Sequence, residues 1–206
     1  MESNAQHWDD IFDATEDARL GWYEKDVAPT LTMLEMIPGW EDATIFLSGA
    51  GTSVLADALL AAGTRLVLND ISAAALDRLK ERLGDGGNAM HWLCQDISQP
   101  LPPDLPAIDI WIDRAVLHFL TAEEEIEGYF KNLRSALRVG GHVLLAEFSK
   151  DGAPKCAGLT LHRYSAEELS ERVGESFSLV SCFDHTYLNP NGDPRPYIYA
   201  LYRKGC

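Results

Sequence analysis

Between residues 43 and 174, short apolar runs alternate with longer amphipathic stretches, and this alternation restricts the fold more than any other feature. ATIFLS (43–48) is apolar almost throughout, as a strand covered on both faces has to be. In SVLADALLAAG (53–63) the apolar residues recur at helical spacing and stop at Gly63, a C-cap. RLVLND (65–70) reads as a second strand, and SAAALDRLKERLG (72–84) as a helix capped by Ser72 and closed by Gly84. AMHWLCQD (89–96) and IDIWIDRAV (108–116) are the third and fourth strands. A long amphipathic helix, AEEEIEGYFKNLRSALRVGG (122–141), leads into a fifth strand, HVLLAEF (142–148). After one more helix, SAEELSERVG (165–174), two strand patterns flank the turn cluster NPNGDP (189–194) and predict an antiparallel hairpin. Five strand–helix units and a hairpin predict an α/β chain with a seven-stranded, mostly parallel sheet, an antiparallel last strand and helices on both faces.

The chain has 206 residues, 46% of them hydrophobic, which suits a single domain with a sizeable core. A helical N-terminal segment (1–40, helix over 5–37, interrupted by Pro38 and Gly39) precedes a core spanning 41–206. The net charge of −15 argues against a nucleic-acid partner and against an anionic membrane surface. No stretch approaches the roughly 18 apolar residues of a membrane span, and the N-terminus lacks a secretory profile, so the expected location is the cytoplasm. Cys94, Cys156, Cys182 and Cys206 form no C-x-x-C pair and the histidines no metal-binding spacing, so no metal is expected.

Ligands of such sheets bind beyond the carboxyl ends of the strands, near the point where strand order reverses. That rule selects Gly49–Ser53, Asp70, Asp96, Asp113–Arg114 and Phe148–Ser149, and four of these five strand ends are polar or glycine-rich. Gly49-Ala50-Gly51 permits a tight turn and close backbone approach to a ligand, although such a turn also serves helix–strand packing. Asp70 ends the second strand at the spacing of a ribose-binding acid, or else is a cap beside Ser72. Asp96 can accept from an exocyclic adenine amine, with Ile97 packed on the ring.

These pieces resemble the class I S-adenosylmethionine-dependent methyltransferases. IFLSGAGTS is similar to the family's glycine-rich loop, LVLNDIS to the motif with its ribose acid, WLCQDI to the adenine-contacting motif, and LRSALRVGGHVLL to the segment before strand five. The resemblance implies a Rossmann-like fold and S-adenosyl-L-methionine as cofactor, held by Ser48, Gly49, Ala50, Gly51, Ser53, Asp70, Ile71, Asp96, Ile97 and Asp113. HWDDIF (7–12) and GWYEKD (21–26) look like the N-terminal pieces of thiopurine and small protein-lysine methyltransferases, which implies that Trp22 and Tyr23 lie over the cofactor's methionine portion. Two positions depart from the pattern: Ser53 replaces a third glycine, and Leu47 replaces an acid that often contacts the methionine end. The cofactor's ammonium is then expected on backbone carbonyls near Gly49 or on the N-terminal segment.

The fourth strand's end, DRAVLHFL, is expected to face the methyl group, with Asp113, Arg114 and His118 as catalytic candidates. Asp113–Arg114 as a structural ion pair and His118 as a helix-packing residue are the alternatives. Arg163, Tyr164 and His185 are substrate-binding candidates. The expected acceptor is a small molecule, with a protein side chain or a non-catalytic binding role as alternatives.

Overall fold

In the computed structural model, which describes residues 3–84 and 90–205, a seven-stranded sheet carries helices on both faces. The strands are β1 (Thr44–Ser48), β2 (Arg65–Asp70), β3 (Met90–Cys94), β4 (Ile108–Arg114), β5 (Leu137–Phe148), β8 (Phe177–Leu188) and β9 (Pro194–Lys204), in the order β3-β2-β1-β4-β5-β9-β8. The first five run parallel, while β9 lies antiparallel between β5 and β8, so the expected terminal hairpin is present. The strand order reverses between β1 and β4.

The alternation of side chains across a strand divides the core in two. Ile45, Leu47, Leu66, Leu68, Ile110 and Ile112 pack under the helices α1 (Ala5–Ala14), α2 (Ala28–Leu34), α3 (Leu55–Ala62) and α4 (Ala73–Leu83). Phe46, Val67, Trp111, Val143 and Leu145 pack under α5 (Glu123–Ala136) and α6 (Ala166–Val173). On that second face Trp111 stacks on Phe46 with ring centroids 4.0 Å apart, and its indole N–H donates to the Tyr129 hydroxyl at 3.0 Å.

Three expectations need correction. The N-terminal helix does not run over 5–37: α1 ends at Ala14, and the residues from there to α2 cross the end of the sheet without regular structure, apart from a short 3-10 turn at Asp17–Arg19. The helix expected over 122–141 ends at Ala136, because Leu137 already pairs with Ile108 and Arg138 ion-pairs with Asp109 on β4. Lys204 donates to the carbonyls of Arg134 (2.6 Å) and Leu137 (2.8 Å), closing that helix end. The fourth strand stops at Arg114 rather than 116, since Ala115 turns into a left-handed conformation at φ +71°. An unforeseen small hairpin, β6 (Lys155–Cys156) and β7 (Leu159–Thr160), turns through Ala157 and Gly158. Ala89, the expected start of the third strand, the residues 1–2 of the N-terminal segment and Cys206 lie outside the described residues.

Helix α1 packs Trp8 and Phe12 into the core and is tied to α4 by Ser72, Ala74 and Arg78. The Ser72 hydroxyl accepts from the Ala75 amide at 3.1 Å, capping α4, and donates to Asp9 of α1 at 2.6 Å. Ser72→Ala removes both a cap and a charge-assisted bond, so we expect it to lower unfolding stability by about 1–2 kcal/mol. Urea denaturation checks this, and an unchanged midpoint would refute it.

Candidate active site

The turn after β1 is built from two left-handed residues, Gly49 (φ +58°) and Gly51 (φ +49°). A Cβ on Gly49 would come within 2.0 Å of Val116 on the turn after β4, so the two strand ends meet where only a glycine fits. Ala50 donates to the carbonyl of Asn69 at 2.7 Å and Gly51 to Asp70 at 2.8 Å, tying the loop to the end of β2. Ser53, in place of a third glycine, accepts from the Leu55 amide at 3.1 Å at the start of α3.

Asp70 is nearly enclosed. One carboxylate oxygen accepts from Gly51 and the other from Ser72 (2.9 Å), yet burial outweighs these bonds and pushes its pKa up to about 6. Beside it a cleft of about 770 Å³, its open mouth included, is walled by Gly49, Gly51, Asp70, Ile71, Asp96 and Ile97. Asp96 accepts from the Ser98 amide at 2.8 Å, which orients its carboxylate.

The N-terminal segment supplies the opposite wall with Trp8, Phe12 and Trp22, and the turn after β4 adds Val116 and Phe119. The aromatics meet edge-on: Trp8 lies 5.4 Å from Trp22 and 4.8 Å from Phe119, centroid to centroid. Past Trp22 a second recess, about 520 Å³ with its open mouth included, runs along the other side of the glycine loop against Tyr23, Glu24, Leu47, Ser48, Ala50 and Ser53. Trp22, Gly49, Gly51 and Arg114 line both.

A family model described as a methyltransferase domain matches residues 48–143, from the end of β1 through the glycine loop, Asp70 and Asp96 into β5. Over those residues the chain carries a methyltransferase domain, and its fold is that of S-adenosylmethionine-dependent methyltransferases. Solved structures share its fold. The N-methyltransferase NodS of Bradyrhizobium japonicum, in complex with S-adenosylhomocysteine, is 17% identical with a TM-score of 0.74, covering 97% of each chain. An S-adenosylmethionine-dependent methyltransferase of Anabaena variabilis is 17% identical with a TM-score of 0.73, over 97% of this chain and 93% of that one. The 1,6-didemethyltoxoflavin-N1-methyltransferase of Burkholderia thailandensis is 19% identical with a TM-score of 0.67, over 86% and 77%. No curated protein sequence matches the chain.

The residues present in the methyltransferase fit the donor: a glycine turn open to close approach, an under-solvated acid at the end of β2, and two apolar side chains, Ile71 and Ile97, on the cleft wall. Of the residues proposed for the methyl end, only Arg114 reaches the cleft. Asp113 is fully buried on the α5 side of the sheet, where it accepts from the Val116 amide at 3.0 Å. His118 is equally enclosed. Its Nδ1 lies 2.6 Å from Glu147, and burial, aided by the charge of Arg114, lowers its pKa to about 3. Burial keeps the imidazole neutral, and its Nδ1 shares a hydrogen bond with the Glu147 side chain. Burial first, and the charge of Asp113 second, raises Glu147 well above the usual carboxylate range.

Arg163 donates to the carbonyls of Lys150 (2.8 Å) and Gly152 (3.0 Å), bracing the turn after β5, and Tyr164 is buried against that turn. His185 on β8 stands with Tyr23, Glu24 and Tyr187 at an outer groove. Phe12, Glu24, Val116, Phe119 and Glu147 were not among the expected site residues. Trp8 and Phe12 stand one helical turn apart in HWDDIF, a legible signal, whereas GWYEKD contains Glu24 without distinguishing it from Asp26.

Hydrogen bonds from ribose hydroxyls to Asp70 require its carboxylate form. The affinity of the methyltransferase for S-adenosylhomocysteine is therefore full above about pH 6 and falls as pH drops through that value. In the ligand-free protein the same raised pKa works with opposite sign: the contribution of Asp70 to stability improves as pH falls from about 6 toward its ordinary value of 3.8. Titration calorimetry across pH, with Asp70→Asn as the reference, checks both; a wild-type profile as flat as the variant's would contradict them.

Proposed function

We propose that this methyltransferase transfers the methyl group to a small-molecule acceptor seated under α1, and that the chain acts as one domain whose residues 1–40 cap a core of residues 41–206. One observation carries the reading: Trp8, Phe12 and Trp22 wall the cleft beside the glycine loop, so the approach to the donor is lined by aromatic rings. A cleft that also has to hold the donor's nucleoside leaves space for a compact acceptor rather than a protein surface. The toxoflavin-precursor and NodS methyltransferases, similar in fold, support this class of acceptor.

When bound, S-adenosylmethionine supplies a methyl group on a sulfonium, open to in-line displacement by an acceptor lone pair. The chain's own part is positioning and exclusion of water. Asp70 would hold the ribose hydroxyls, Ile71 and Ile97 would pack on the adenine, and Asp96 would accept from its amine. Trp22 shields the glycine loop. Asp113 and His118 act through backbone: Asp113 accepts from Val116, while Glu147 accepts from the His118 amide (3.1 Å) and is hydrogen-bonded to its ring, and together they set the turn that carries Val116 and Phe119 into the cleft. His185 lines a neighbouring outer groove with Tyr23 and Glu24.

No described helix is long and apolar enough to cross a membrane, and no cluster of three metal-ligating side chains occurs among the described residues. The free thiols of Cys94, Cys156 and Cys182 support a reducing compartment, which makes the cytoplasm the proposed location.

Two measurements test the reading. S-adenosylhomocysteine should bind with one site by calorimetry, and no heat at millimolar ligand would rule the donor site out. With methyl-labelled S-adenosylmethionine and a cell extract, label should enter the small-molecule fraction; label confined to protein would overturn the acceptor class.

A further inference from the structure

The acid usual at the end of β1 is absent, and Leu47 in its place is buried in the core between Leu68 and Ile112. The cavity that Leu47 lines nevertheless contains a carboxylate: Glu24, which arrives from the N-terminal segment. Arg114 faces it from the end of β4, with Nε 2.5 Å from one Glu24 oxygen, and the two side chains are only 10% and 8% exposed. The pair is incompletely satisfied. Glu24 Oε1 and Arg114 Nη2 are buried and meet no hydrogen-bond partner, while Arg114 Nη1 donates to the carbonyl of Trp22 at 3.1 Å.

We propose that Glu24 and Arg114 form the subsite for the amino-acid end of the cofactor, with Glu24 Oε1 receiving the α-ammonium and Arg114 Nη2 the α-carboxylate. This rests on the methyltransferase reading above. An acid and a base with one free acceptor and one free donor match a zwitterion, and its binding leaves the net charge of the site unchanged. Buried polar atoms without partners are costly, so a ligand that supplies both partners gains more there than at an exposed surface. Burial pushes Glu24 up from the usual carboxylate value, Arg114 drawing it back, so the acid is not fully compensated by its neighbour. Burial also opposes the charge of Arg114, but Tyr197, Glu24 and Tyr199 around it hold its pKa above the ordinary arginine value. The cavity adjoins the adenosine cleft at Gly49, Gly51 and Trp22, so a ligand lying over the glycine turn reaches both. Glu24 thus replaces, from a distant part of the chain, the acid missing at Leu47.

The test compares S-adenosylhomocysteine with 5′-methylthioadenosine, which keeps the nucleoside and thioether but has no amino-acid end. By calorimetry on the full chain, Glu24→Gln should weaken S-adenosylhomocysteine about 10- to 100-fold, the range for one charge-assisted hydrogen bond, and leave methylthioadenosine within about twofold. Equal weakening of both ligands would show Glu24 acting only through the fold, and no weakening of either would also overturn the subsite. Because Gln at 24 leaves Arg114 without its counter-charge, a second measurement uses the unaltered protein. S-adenosylhomocysteine lacking its α-amino group should bind it about 10- to 100-fold more weakly than the parent ligand, and equal affinity would overturn the proposal. Binding of neither nucleoside to the unaltered protein overturns the methyltransferase reading itself, and the subsite with it.

Discussion

The carboxylate of Asp70 is the constraint on which the site depends. Its two oxygens accept from Gly51 on the turn after β1 and from Ser72 at the start of α4, and Ser72 in turn holds Asp9 of α1. Loop, helix and N-terminal cap are thereby referred to one strand end. Two amide bonds to a carboxylate are worth about 1.5–3 kcal/mol each, yet the pKa is raised, so the loss of water outweighs them. The acid is oriented but under-solvated. Additional donors on the cleft side are what it lacks, and ribose hydroxyls supply them without moving the loop.

A second buried carboxylate group stabilises the opposite wall. Asp113 and Glu147 lie on the α5 side of the sheet with His118 between the turn and β5, all three fully enclosed. They hold the backbone from residue 113 to 118 through N–H bonds, which is how a strand end becomes a fixed turn rather than a mobile loop. Burial raises Asp113 and Glu147, with the charge of Asp113 adding to the latter, and burial with the charge of Arg114 lowers His118; their enclosure suits positioning rather than proton transfer with a ligand.

The strands, the glycine turn, Asp70 and the terminal hairpin were legible because each has a local signature: a period, a capping residue or a turn cluster. The roles of Asp113 and Arg114 were less so. Both stand at a strand end that faces the ligand, but successive side chains point to opposite faces, so Asp113 follows Trp111 toward α5 and Arg114 does not. Strand parity could have separated them. The overlong helix at 122–141 has another cause: VGG reads as a helix stop, while the pairing of Leu137 with Ile108 lies about 30 residues away in sequence and leaves no local trace. Glu24 was invisible for the same reason, since its meaning comes from Arg114.

Arg114 also explains why the antiparallel hairpin matters to the site. Its guanidinium lies 5.2 Å from the ring centroids of both Tyr187 on β8 and Tyr197 on β9, and it binds Glu24 and the Trp22 carbonyl from the N-terminal segment. The Tyr187 hydroxyl in turn donates to the Tyr23 carbonyl. Cation–π contact with two rings fixes the guanidinium plane while leaving its edge free for hydrogen bonds. Inserting β9 between β5 and β8 is what brings these tyrosines beside β4's end, since a sixth parallel strand would carry its neighbour's side chains in another register. The two ends of the chain therefore meet at one arginine. The part of the site with no counterpart in the glycine-loop motif is built where they meet.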